Sequence, residues 1–228
     1  MDGVKELIFV RHAQSVTNAG GITMERDVVP LTPLGQLQAK ELAEALHVVP
    51  SRVLVSRLLR AQQSAAPFCA HFGLEPEVWS CLDEFSMIDL KLIAGYTREQ
   101  RTPVAEAYWA ASDPNKRMGV EADTFLEFYA RVAQFHDVMH ELPDATVVFG
   151  HSTWFSLLVW RLLGHRAEDG PGMSRFRRFL LGLPVPNGSV YRLSQADNGE
   201  WSVHFDAVLQ ARMDCVGEPA GFERELMP

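Results

Sequence analysis

Four strand-forming apolar residues stand in a row at Leu7-Ile8-Phe9-Val10, and an uninterrupted run of this kind predicts a strand buried on both faces. Helical spacing follows. Leu34, Leu37, Leu42, Ala45 and Leu46 line one face, with Thr32 as the N-cap and Pro33 at the first helical position. Pro50-Ser51 turn the chain into a second strand, Val53-Leu54-Val55-Ser56. Ala61, Ala65, Phe68 and Phe72 mark the next helix, which Gly73 stops. Val78 to Leu82 reads as a third strand, Glu99 to Ala111 as a helix, and Ser112-Asp113-Pro114-Asn115 as a loop. Phe125, Phe128, Val132, Phe135, Met139 and Leu142 then alternate steps of three and four. Thr124 and Glu127 supply a capping box for this helix and Pro143 its stop. Thr146-Val147-Val148-Phe149 is a fourth strand, running through Gly150-His151 into a helix from Thr153. Asn187-Gly188 and Asp197-Asn198-Gly199 bracket Val190 to Leu193, which pairs with Trp201 to Phe205 as an antiparallel hairpin at the sheet edge.

Strands alternating with helices predict an α/β fold with a mainly parallel sheet covered on both sides. Such sheets bind ligands beyond the C-terminal ends of their strands. The polar residues of this chain gather there. Arg11-His12 follow the first strand, Ser56 to Arg60 the second, Glu84 the third and His151 the fourth. Two histidines, two arginines and a carboxylate are thus delivered to one edge.

Composition narrows the setting. In 228 residues, 47% hydrophobic and 22% charged, the chain has the balance of a soluble protein with a sizeable core. We read residues 1–228 as one domain with an insertion over the site at about 85–122. The net charge of −8 argues against nucleic acid or an anionic membrane as partner, and leaves room for a small anionic substrate gripped by local arginines. Cys69, Cys81 and Cys215 are odd in number and widely spaced, which suits a reducing, cytoplasmic setting better than a disulfide framework or a cysteine-only zinc site. Met1 to Val10 carries Asp2, Lys5 and Glu6 and lacks the apolar core of a signal peptide. Trp154 to Leu163 is short and contains Arg161, so it predicts a core helix and not a membrane span.

These residue types suit phosphoryl transfer, which needs charge stabilisation around three equatorial oxygens, an in-line nucleophile and a proton for the leaving group. The forked guanidiniums of Arg11 and Arg60 can grip phosphate. A neutral imidazole is a competent nitrogen nucleophile near neutrality. A second, protonated histidine can balance developing charge, and Glu84 can protonate the leaving oxygen. Singly, each is more often a structural histidine, a solvated acid or an exposed basic face. Together, at successive strand ends of one sheet, they point to a site.

The ordered segments carrying these residues resemble the histidine phosphatase superfamily, which includes the cofactor-dependent phosphoglycerate mutases. Val10-Arg11-His12-Ala13-Gln14-Ser15-Val16-Thr17-Asn18 is similar to R-H-G-(E/Q)-(S/T)-x-x-N, and Pro30 to Ala39 to P-L-T-x-x-G-x-x-Q-A. Ser56 to Ala65 resembles S-x-x-x-R-A-x-Q-(S/T)-A, Leu82-Asp83-Glu84 resembles L-x-E, and Gly150-His151-Ser152 resembles G-H-G. Gly119 to Asp123, leading into a helix with Arg131, is similar to G-x-E-S. The resemblance runs from Phe9 to about Val190. It implies a three-layer sandwich with one antiparallel edge strand. It also implies a phosphorylated nucleophile at His12, a phosphate pocket completed by Arg11, Arg60 and His151, and Glu84 as proton donor and later base. Asn18, with Ser15 and Ser152 beside the two histidines, is expected to bind substrate. No metal or cofactor enters that mechanism.

Two family glycines are replaced, by Ala13 and by Ser152. The mutase-type run after the acid and its paired-arginine segment are missing: Phe85 to Lys91 follow Glu84, and Arg101-Thr102-Pro103 stands alone. The resemblance therefore favours the phosphatase branch over phosphoglycerate mutase-type transfer or a weakly active phospho-ligand-binding domain. For the substrate, Met87, Ile88, Leu90, Leu92 and Ile93 either line the pocket or pack the insertion. Trp154 and Phe155 either stack on substrate or fill the core. Arg175, Arg177 and Arg178 either attract a second anionic group or form a solvated face. The substrate and oligomeric state stay open at this level.

Overall fold

In the computed structural model, which describes residues 5–217, the first strand β1 (Lys5–Arg11) buries Leu7, Ile8, Phe9 and Val10 to 1% exposure or less. The part of the N-terminal reading that concerns Met1 to Val4 lies outside the described residues. Along the chain follow α1 (Pro33–Ala45), β2 (Arg52–Val55), α2 (Leu59–Phe72), β3 (Glu77–Val78), α3 (Leu90–Ile93) and α4 (Arg98–Ala111). Then come α5 (Phe125–Val138), β4 (Thr146–Gly150), α6 (Ser152–Leu162), α7 (Gly170–Gly182), β5 (Val190–Gln195), β6 (Trp201–Phe205) and α8 (Ala207–Cys215). Among the described residues no helix is long and apolar enough to cross a membrane.

Three of the predicted helix caps are built as read. The Thr32 side chain accepts the Gly35 N–H, Thr124 and Glu127 close a reciprocal capping box, and Gly73 ends α2 at φ +65°.

Six strands form one sheet in the order β3-β2-β4-β1-β5-β6. β3, β2, β4 and β1 are parallel to one another, and β5 runs antiparallel to both β1 and β6. The edge hairpin is as predicted, with β5 the one reversed strand and β6 outside it. Alternate residues of the central strands feed two cores. Leu7, Phe9, Leu54 and Val148 pack with α5, α6 and α7 through Phe128, Phe155 and Phe176. Ile8, Val10, Val53, Val55, Val147 and Phe149 pack with α1, α2 and α8 through Leu42, Phe68, Leu209 and Met213. The result is the three-layer sandwich, two helical layers around a sheet buried on both faces.

Three expectations are corrected. Only Glu77–Val78 of the third strand pairs with β2; the backbone then closes a 3-10 turn at Ser80–Leu82, which buries Leu82 and carries Asp83 beneath β2. The predicted 125–142 helix ends at Val138 and finishes as a 3-10 turn at Met139–Glu141. α7 and α8 went unpredicted. The start of α7, Gly170-Pro171-Gly172, carries loop-forming residues, and Asp169 makes it a helix start by accepting the Gly172 N–H.

Between Phe85 and Asp123 the insertion folds over the C-terminal ends of the strands. The Asp123 carboxylate accepts the Ser86 N–H at 2.9 Å and pairs with Arg131 at 2.5 Å, which pins both ends of the segment. Phe85 stacks on Phe128 at 4.7 Å between ring centroids. Thr23 exchanges backbone hydrogen bonds with Gly95 and Tyr96, so the loop after β1 and the insertion share one roof.

α1 lies directly against the loop after β1, and a Cβ on Gly35 would sit 2.0 Å from the Gln14 carbonyl oxygen. That atom is backbone and cannot swing away. Gly35→Ala is expected to destabilise the protein by about 1–3 kcal/mol, read as a lower urea midpoint at unchanged m-value; a wild-type midpoint would contradict this packing.

Candidate active site

Strand register assembles the site. Arg11 pairs with Gly150 across the parallel β1–β4 ladder, so the next residues, His12 and His151, emerge side by side with ring centroids 5.2 Å apart. Val55 pairs with Phe149 across β2–β4, which sets Ser56 level with Gly150 and its hydroxyl within reach of the His151 ring. The His12 N–H donates to the Gly150 carbonyl at 3.0 Å and the Ser56 N–H to the Phe149 carbonyl at 3.2 Å, extending both ladders to the site.

His12 is buried, and its two ring nitrogens differ. Nδ1 lies 2.7 Å from the Ala13 carbonyl oxygen, an acceptor only, so Nδ1 carries the proton. Nε2 keeps its lone pair and accepts from Arg60 Nε at 3.3 Å. Burial first, then the charges of Arg60 and Arg11, push the His12 pKa well below the usual imidazole value. Burial also pushes Arg11 and Arg60 down to about 10, which leaves both charged at neutral pH. Arg60 Nη1 donates to the Arg26 carbonyl at 3.0 Å, Arg11 Nη1 donates to the Val185 carbonyl, and Arg11 Nε is buried without a hydrogen-bond partner among the described residues.

A buried relay orients His151. Ser56 Oγ donates to Asp83 Oδ1 at 2.8 Å, and Asp83 also pairs with Arg57 Nε at 2.5 Å. With its proton directed to Asp83, the Ser56 oxygen accepts from His151 Nε2 at 2.9 Å. His151 therefore holds a proton on Nε2, while its Nδ1 is buried without a partner among the described residues. Burial, with Arg60, His12, Arg11 and Arg26, pushes the His151 pKa well below normal as well.

Glu84 accepts three backbone N–H groups: Phe85 and Trp154 on Oε1 and Thr153 on Oε2, each at 3.0 Å. It thereby covers the N-terminus of α6, the helix that His151 leads into. Asn18 receives Ser15 Oγ at 2.9 Å and Asn187 Nδ2 at 3.0 Å on its Oδ1, which leaves its amide N–H groups for the cavity it lines.

Arg11, His12, Asn18, Arg60, Glu84 and Ser152 line one cavity of about 720 Å³. His151 stands behind His12, and Ser15 lies behind Asn18, fully buried, where it sets that residue's orientation. Ala13 is buried with Leu31 and Ala39 and is not among the positive-φ residues, so the first replaced glycine requires no glycine conformation. Phe85, Met87, Ile88, Leu90 and Ile93 line the cavity, whereas Leu92 is exposed. Trp154 and Phe155 are core residues stacked on Phe9, at 6.0 and 4.1 Å between centroids. Arg177 lies over Trp109, and neither Arg175 nor Arg178 lines the cavity.

Asp83, Asn187 and Arg26 were missed by sequence reasoning. Asp83 looked like a spacer between Leu82 and Glu84. Asn187 looked like a turn residue, yet its Nδ2 reaches the His12 and Ala13 carbonyls at 3.1 and 3.2 Å. The reversed direction of β5 explains this, because the turn entering an antiparallel neighbour lies at the C-terminal end of β1. Arg26, in the roof, donates to the Glu84 carbonyl at 3.1 Å.

Comparison with known proteins identifies the family and the fold. The family model described as histidine phosphatase superfamily (branch 1) matches residues 7–207. The adenosylcobalamin/alpha-ribazole phosphatase of Escherichia coli K12 is 30% identical over 166 residues, 71% of this chain and 81% of that protein. Its Salmonella typhi counterpart is 29% identical over 167 residues, 72% of this chain and 82% of that protein. Among solved structures, an alpha-ribazole-5'-P phosphatase from Escherichia coli K-12 superposes with a TM-score of 0.70 at 24% identity, over 89% of this chain and 96% of that one. A mycobacterial glucosyl-3-phosphoglycerate phosphatase complexed with VO3 gives 0.67 at 24% identity, over 88% and 98%. At that identity the two structures establish a shared fold.

The neutral buried histidines set a pH dependence of stability. In the unfolded chain both imidazoles take up protons below about pH 6.5, while in the folded protein their depressed pKa values keep them neutral. The unfolded state thus binds more protons as pH falls, and stability is expected to drop from pH 7 toward pH 5. Thermal melts across that range should show a shallower fall in His12→Gln/His151→Gln; an unchanged slope would mean that these two groups do not set it.

Proposed function

The chain belongs to the histidine phosphatase superfamily, and we propose that it hydrolyses small phosphomonoesters through a phosphohistidine on His12, without a metal. The observation that carries this reading is the His12 tautomer: Nδ1 is tied to the Ala13 carbonyl, and Nε2 presents a lone pair among arginines. The phosphatase relatives support hydrolysis over mutase-type transfer.

An incoming phosphate dianion takes over the Arg60 N–H that now rests on His12 Nε2, and it meets the unpartnered Arg11 Nε and the Asn18 amide. Arg11 and Arg60 bind its equatorial oxygens and freeze the ester in line with Nε2. Its negative charge also favours a proton on His151 Nδ1, which then donates to the phosphate. As the Nε2–P bond forms and the ester P–O bond breaks, Glu84 gives its proton to the leaving oxygen. In the second half the Glu84 carboxylate takes a proton from water. The water oxygen bonds to phosphorus, and the electrons of the P–N bond return to Nε2. The three amide donors on Glu84 hold the same carboxylate in place for both halves. We place the substrate's organic part against the 85–122 insertion.

With chelator present, wild-type protein is expected to turn over p-nitrophenyl phosphate, and His12→Ala to lose at least about a thousandfold. Glu84→Gln should lose roughly 10²–10⁴-fold on alkyl phosphates and less on p-nitrophenyl phosphate, whose leaving group needs little protonation. It should also accumulate phosphate on His12, seen by peptide mass after an alkaline quench. Full activity in His12→Ala would end this mechanism, and phosphate exchange without net release would indicate a mutase.

A further inference from the structure

Four arginines among the described residues have a buried Nε without a hydrogen-bond partner: Arg11, Arg101, Arg131 and Arg161. Two of them are compensated. Arg131 pairs with Asp123 and lies over Phe128, and Arg161 lies 3.9 Å from Asp137 and over Tyr129. Arg11 and Arg101 have neither an acid partner nor an aromatic face, and these two line the cavity. Arg11 belongs to the phosphate pocket. Arg101 lines the same cavity from the first turn of α4, three residues after Arg98, which also lines it and has no acid partner among the described residues.

Among the described residues the acids nearby form no ion pair with Arg98 or Arg101. Glu99 is turned to its own backbone N–H and the Thr97 hydroxyl. On the cavity wall Asp27 pairs with Arg26, Glu84 is held by three amides, and Asp89 accepts the Lys91 and Glu121 amides. Glu25 and Glu121 are exposed at its rim. Burying the Nε of an arginine without a partner is costly, and a like charge one helical turn away adds repulsion. Burial first, then Arg98, pushes the Arg101 pKa down, and Glu99 offsets this in part. An anion arriving from the cavity removes both penalties.

We propose that Arg98 and Arg101 form a second anion subsite, and that the favoured substrates are phosphomonoesters bearing a second anionic group, carboxylate or phosphate. This rests on the reading that the ester phosphate sits at His12. The subsite binds the far end of the molecule, across a cavity much larger than phosphate itself. It replaces Arg175, Arg177 and Arg178 as the source of such a preference.

The test is competition against p-nitrophenyl phosphate by two matched pairs of compounds. 3-Phosphoglycerate and glycerol 3-phosphate differ by a carboxylate at short reach, and fructose 1,6-bisphosphate and fructose 6-phosphate by a second phosphate at longer reach. In at least one pair the more anionic member should compete at about tenfold lower concentration or better. The pair that responds tells which group the subsite takes. The ratio within that pair should fall toward one in Arg101→Ala and in the exposed-site variant Arg98→Ala, and recover in part in Arg101→Lys. Ratios of one for both wild-type pairs, or a preference that survives both alanine variants, would overturn the subsite. If p-nitrophenyl phosphate is not hydrolysed at all, the proposed function fails instead. Dissociation constants of the same four compounds by calorimetry then decide the subsite on the same ratios.

Discussion

The parallel pairing of β1 with β4, with Arg11 opposite Gly150, is the constraint on which the rest of the site depends. Residues paired across a parallel ladder emerge in step, so one register brings His12 and His151 to the same end of the sheet with their rings adjacent. A slip of one residue would turn His12 to the opposite face and exchange the two cores, since Leu7 and Phe9 serve one and Ile8 and Val10 the other. The packing that fixes the register is therefore the packing that fixes the chemistry. Gly150 shows how tight the coupling is: a Cβ there would lie 2.9 Å from the ring of Phe9, which itself stacks on Phe155.

On that frame the protein concentrates positive charge that it does not neutralise. Arg11 and Arg60 are desolvated beside two neutral histidines, and the carboxylate that faces them is engaged by backbone amides of α6 and Phe85. Elsewhere the same chain pairs its arginines with acids, as at Arg52–Glu77 and Arg192–Glu6. Preorganised charge in a site closed from water acts strongly on an anion and needs no rearrangement when the anion arrives. The relay through Ser56 and Asp83 extends this economy, because it fixes the His151 tautomer and leaves Nδ1 without a hydrogen-bond partner among the described residues.

The roof over the pocket follows different rules. It is held by a few polar links, Asp123 with Ser86 and Arg131, Asp89 with Glu121, and Thr23 with Tyr96, and by Phe85 inserted into the aromatic core. Gly119 adopts φ +98° against Asp89, where a Cβ would lie 2.3 Å from the Asp89 Cβ. This segment carries the cavity's apolar wall and its outlying arginines. These lining residues belong to a part of the chain separate from the strand ends that hold His12, Arg60 and His151.

By itself the sequence determined most of the sheet and the polar residues that gather at its strand ends. Strand and helix periods are local signals, and Thr32, Gly73 and the Thr124–Glu127 box are local caps, so they could be read without knowing what touches them. His12, Arg60, Glu84 and His151 were legible for a related reason, since each follows a strand or its adjoining turn and carries a distinctive side chain. The tertiary structure alone decided the rest. Asp83 sits beneath β2 only because the third strand stops after two pairs, and Asn187 reaches His12 only because β5 runs backwards beside β1. Ser15 serves Asn18, Trp154 and Phe155 fill the core, and Arg101 faces the cavity while Arg177 stacks on Trp109. A polar side chain's role depends on which distant groups reach it first, and that is a property of packing between segments far apart in the chain.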